Sequence, residues 1–187
     1  MTTVTAPASP TTTAAALRRL YFARFAFAIL WAAVTFAIAD EINPLVTTLF
    51  VIYPLVDAAA AAIDLRSSRT TGSPTLLYVN IVVSMLAAVG LAIAGGGASI
   101  PAVLRVWGAW AVVAGLVQLI VAVARRGLGG QWPMIISGGL SVLAGGSFVA
   151  AASADDPALT NAIGYAIPGA IFFLIAAIRL GRAAKSN

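Results

Sequence analysis

The chain has 187 residues, 61% of them hydrophobic and only 9% charged, against about 25% charged residues in an ordinary soluble domain. So little charge does not cover a soluble fold, and the apolar residues fall into long blocks of the kind that lie against lipid. The net charge is +5, with neither cysteine nor histidine; this excludes disulfides, thiolate metal sites, cysteine nucleophiles and histidine-based triads, and no metal or cofactor is expected.

Residues 1–16 are largely Thr, Ala, Ser and Pro. That composition does not repay the entropy of ordering, so the segment reads as a disordered cytoplasmic tail ahead of a transmembrane domain over residues 17–182. Six apolar stretches follow, approximately Leu20–Ala39, Pro44–Ile63, Thr75–Ala94, Pro101–Ala124, Trp132–Ala152 and Ala158–Leu180. Each is about 20 residues long, enough to span roughly 30 Å of hydrocarbon. Residues 183–187 form a short C-terminal tail. The connections carry breakers: Asp40-Glu41-Ile42-Asn43-Pro44, Ser67 to Pro74, Gly95-Gly96-Gly97, Gly127 to Gly130 and Asp155-Asp156-Pro157. Loops this short make successive helices antiparallel neighbours. The expected fold class is all-α, a polytopic membrane protein of six transmembrane helices.

Orientation follows from the cations. Arg18, Arg19, Arg66, Arg69, Arg125, Arg126, Arg179, Arg182 and Lys185 fall at the tail, the even connections or the chain end, whereas the odd connections hold Asp40, Glu41, Asp155 and Asp156. With the positive side in the cytoplasm, both termini are cytoplasmic. Arg18-Arg19, an apolar run and Ala37-Ile38-Ala39 also imitate a secretory signal. Arg24 interrupts that run, and the segment is read as the first span.

The even helices align without gaps. Tyr53-Pro54-Leu55-Val56-Asp57-Ala58 corresponds to Trp110-Ala111-Val112-Val113-Ala114-Gly115 and to Ala166-Ile167-Pro168-Gly169-Ala170-Ile171. More weakly, Arg24-Phe25-Ala26 matches Tyr78-Val79-Asn80 and Ser137-Gly138-Gly139. The expectation is three copies of one helical hairpin.

The chain resembles the HdeD-like acid-resistance membrane proteins, a six-helix bacterial family of unknown chemistry. The resemblance lies in Trp107-Gly108-Ala109-Trp110-Ala111-Val112-Val113-Ala114-Gly115, in Trp132-Pro133 with Ser137-Gly138-Gly139-Leu140-Ser141-Val142-Leu143-Ala144-Gly145, and in Asp57-Ala58, where the family often has Asp-Gly. It covers residues from about Arg18 to Arg182. It implies residence in the bacterial inner membrane and a link to acid or envelope stress, with no catalytic residues to carry over.

Arg24 and Asp57 fall at similar depth, roughly 10 Å from the cytoplasmic ends of the first two helices. Asn80, Gln118 and Ser137 enter the next three at comparable depth, giving a candidate intramembrane polar layer of Arg24, Asp57, Asn80, Gln118 and Ser137. Such a layer serves either as an interhelical pair fixing register or as a hydrophilic path. Arg105 is expected to snorkel or to meet the acidic loops. Ser137, Ser141 and Gly145, spaced by four like Ala111 and Gly115, read as close-packing faces. Trp132, Tyr21, Tyr78 and Trp107 are placed as interfacial anchors, and Pro54 and Pro168 as bends. The glycine run at Gly95 lacks the Lys-Ser/Thr of a phosphate loop.

The expected function is that of a non-enzymatic membrane protein of the HdeD-like type, with a small channel or transporter using the polar layer as the alternative. The expected partner is the lipid bilayer; a homo-oligomer stays open, and neither nucleic acid nor a small-molecule ligand is indicated.

Overall fold

The computed structural model describes residues 10–67 and 74–183. Residues 1–9 of the expected tail, 68–73 of the second connection with Arg69, and 184–187 with Lys185 lie outside the described residues. Six α-helices follow in order: α1 Pro10–Ile38, α2 Pro44–Ser67, α3 Pro74–Gly96, α4 Ile100–Ala124, α5 Trp132–Ala151 and α6 Thr160–Ala183. A 3-10 turn, Arg126–Leu128, joins α4 to α5, and no strand occurs among the described residues. All six helices are long and apolar enough to cross a membrane. The chain is a multi-pass integral membrane protein.

Helix α1 begins ahead of the expected Leu20, inside the segment read as a disordered tail. Proline is tolerated in a first helical turn. Thr13 and Ala14 are buried and Leu17 is fully enclosed, in a cluster with Tyr21, Ala176, Ala177 and Leu180. Composition alone missed this because the burial comes from α6, some 160 residues away in the chain.

The helix ends follow ordinary capping chemistry. Asn43 Oδ1 accepts from the backbone N–H of Leu45 (3.0 Å) and Val46 (2.9 Å), with Pro44 opening α2. Ser99 likewise caps α4 through Ala102 N–H at 3.3 Å. The left-handed residue between α3 and α4 is Ala98 (φ +50°), not one of the preceding glycines. Gly130 has φ +66°, and a Cβ there would sit 2.9 Å from Leu180 N, so both its conformation and its approach to α6 need glycine.

Each helix packs on its sequence neighbours, and α6 closes on α1 to complete a ring. The broad faces are α4–α5, α2–α3 and α1–α6, whereas the α1–α2 and α5–α6 seams are narrow. The broad faces therefore join helices from different sequence hairpins. Leu30, Leu86, Ile93 and Leu143 on the outside are 65–73% exposed. Large apolar side chains turned out from a helical ring are suited to lipid.

The α4–α5 face is a zipper of glycines with period seven. A Cβ on Gly108 would lie 2.5 Å from Gly145 O, and one on Gly145 2.5 Å from Gly108 O. Two turns further on, Gly115 and Gly138 stand in the same reciprocal relation, at 2.9 and 2.8 Å. Ser141, four residues before Gly145, lies in the same contact, its Cβ 2.6 Å from a Cβ built on Gly115. Gly139 and Gly146 face open space.

Candidate functional site

All six helices contribute to the lining of a partly open cavity of about 130 Å³. Its polar wall begins with Asp57 on α2. Asp57 Oδ1 accepts from Arg24 Nη2 of α1, and Oδ2 accepts from Asn80 Nδ2 at 2.7 Å and Ser84 Oγ at 2.9 Å, both on α3. Trp110 Nε1 of α4 donates to Ser84 Oγ at 3.0 Å. The Arg24 guanidinium also lies 4.3 Å from the Phe173 ring of α6, a cation–π contact. One carboxylate thus organises five helices. Its burial at 6% exposure is offset by three donors, one of them cationic.

Of the five expected polar residues, Arg24, Asp57 and Asn80 meet directly. Gln118 and Ser137 line the same cavity without touching that network, and Gln118 Nε2 donates to Met134 O at 3.2 Å. The layer lies deeper than the expected 10 Å. Asp57 stands ten residues from the end of α2 at Ser67, or about 15 Å of helical rise. The difference arises because both helices run past the apolar stretches that marked them in sequence.

A second buried ion pair went unread in the sequence. Arg125 Nη1 donates to Asp64 Oδ2 at 2.6 Å, and Arg125 is only 2% exposed, its Nε and Nη2 enclosed without hydrogen-bond partners among the described residues. By its position in the sequence Arg125 is one of the loop cations. The available signal was the spacing of Asp57 and Asp64, two turns apart on one face of α2. The four-residue spacing of Asn80 and Ser84 similarly announced a shared face.

An aromatic cluster fills the bundle on the side of the acidic loops. Trp31 and Trp107 stack at 5.4 Å, with Phe50 at 4.9 Å and Tyr53 at 5.3 Å from the Trp107 ring. Trp31 Nε1 donates to Leu49 O at 2.7 Å across the α1–α2 seam. Trp107 is therefore a core residue and not an interfacial anchor. Tyr21 is also buried, its hydroxyl donating to Gln131 Oε1 at 3.4 Å. Trp132 and Tyr78 do lie at the surface, Trp132 beneath Arg179. Arg105 meets the Ala152 carbonyl at 3.5 Å.

No family model, curated protein or solved structure matches the chain. Functional argument accordingly rests on the cavity and its polar wall. Positions equated in the even helices, Tyr53, Trp110 and Ala166, all face this cavity. In the odd helices the matching register is off by two for α3: Tyr78, set opposite Arg24 and Ser137, points outward, and Asn80 points inward. Two residues rotate a helix position by about 200°.

Proposed function

We propose that the chain is a non-enzymatic membrane protein that admits a small solute to its central cavity, in the manner of a small carrier or channel. The observation that supports this is a cavity lined by all six helices with Asp57, Gln118 and Ser137 in its wall, since a purely structural ion pair needs no open space beside it. Both termini and the basic loops face the cytoplasm in this reading.

The absence of native cysteine makes the test direct. Ala114→Cys lines the cavity, and Ile93→Cys on α3 is 73% exposed toward lipid. A small water-soluble thiol reagent is expected to modify Ala114→Cys at least tenfold faster than Ile93→Cys. Equal rates would remove the solute-accessible cavity on which the reading depends. In the same series, an impermeant reagent outside intact cells is expected to reach Gly97→Cys and Ser153→Cys but not Gly127→Cys, the reverse pattern inverting the orientation.

The resemblance to HdeD-like proteins supports acid or envelope stress as the physiological setting. Its motifs include all four glycines of the α4–α5 zipper, so what they specify is packing. The odd connections carry four carboxyl groups, Asp40, Glu41, Asp155 and Asp156. Deletion of the gene is expected to reduce survival at about pH 3 more than at about pH 6. Equal survival of deletion and parent at both would speak against the acid setting while leaving the cavity reading intact.

A further inference from the structure

We propose that the cavity takes a small, uncharged, ring-sized molecule bearing one hydrogen-bond donor, of the chemical class of phenols and indoles. The proposal rests on the solute-uptake reading above and specifies its ligand.

Size sets the first limit. The cavity measures about 130 Å³, close to the roughly 150 Å³ of an apolar protein cavity that holds benzene. Charge sets the second. Arg24 is paired with Asp57 and Arg125 with Asp64, so an ionic ligand would shed its hydration without gaining a counter-ion. Tyr53, Trp107 and Phe173 bring aromatic rings to the wall, which favour another ring in edge-to-face or offset contact.

The donor requirement comes from Gln118. The Met134 carbonyl can only accept, so the carboxamide nitrogen must face it. The amide oxygen is then the group offered to the cavity, on the α4–α5 wall that also carries the Ser137 hydroxyl. Asp57, a charged acceptor of the wall, is already engaged by three donors, so the Gln118 oxygen is offered to a ligand O–H or N–H, and a ligand lacking one leaves that oxygen unpaired.

The test uses the full chain in lipid nanodiscs with phenol, toluene, benzoate and phenyltrimethylammonium as probes, each referred to its concentration in the bilayer. Phenol is expected to saturate one site about tenfold more tightly than toluene, the worth of one hydrogen bond, and the two ions to show no saturable binding. Gln118→Met is expected to erase the preference for phenol over toluene while keeping toluene binding. Ala114→Leu fills the chamber and is expected to abolish binding of both; Ala61→Leu, on the α2 wall, provides the same test should the first variant not fold. Equal affinity for toluene and phenol, saturable binding of either ion, or phenol binding that survives both filling variants would overturn the proposal. Reagent access to Ala114→Cys without phenol binding sinks the ligand class alone, whereas absent reagent access sinks the solute-uptake reading beneath it.

Discussion

Asp57→Ala is expected to remove a large share of the stability of the bundle. It strands the Arg24 guanidinium, whose side chain is 23% exposed, and orphans the donors of Asn80 and Ser84. Breaking a buried pair from one side costs about 3–5 kcal/mol, a large share of a typical total of about 5–15 kcal/mol. Thermal unfolding in mild detergent is expected about 10 °C lower than for the parent. Asp57→Asn is expected to lose less, because its amide oxygen still accepts from Arg24 and the Asn80 carboxamide can turn to accept from the new N–H. The double variant Arg24→Met/Asp57→Leu removes both charges and is expected to recover part of the loss. An Asp57→Ala protein that unfolds at the parental temperature would show that the network does not hold the helices together.

Substitution of the zipper glycines is expected to be the other severe class. Ala at Gly108 or Gly145 places a Cβ 2.5 Å from a backbone carbonyl oxygen of the facing helix. Backbone cannot swing aside as a side chain does, so α4 and α5 must separate along their broad face. Overpacking a close contact costs about 1–3 kcal/mol, and Leu at either position is expected to prevent assembly. Gly139→Ala and Gly146→Ala supply the control, since nothing lies within 4 Å of a Cβ at those positions. They are expected to be neutral or slightly stabilising, as glycine is a poor helix former. Equal loss at Gly139 and Gly145 would show that glycine acts through helix propensity and not through the approach of the two backbones.

Class and span number were legible in the sequence because lipid imposes a one-dimensional rule. A helix that satisfies its own backbone hydrogen bonds needs only about 20 apolar residues to cross, and the six runs provide them. Arg24, Asp57 and Asn80 stood out for the same reason: a polar side chain in such a run is costly and calls for a partner. What the runs could not convey is which face of each helix turns inward. Arg125 sat among loop cations by position, yet the end of α4 carries it inside the ring to Asp64. Trp107, near a helix end in sequence, lies stacked on Trp31 because the two large side chains reach toward one another from α1 and α4.

The sequence by itself determined six helices, an apolar exterior and a short set of polar residues placed within it, since each follows from hydropathy and length. The tertiary structure alone decided that α6 closes on α1, that glycines seven apart hold α4 to α5, and that the ring leaves a chamber beside Asp57. These depend on helix rotation and on backbone separations of a few ångströms. Hydrophobicity is nearly uniform around a helix in lipid and carries no record of either.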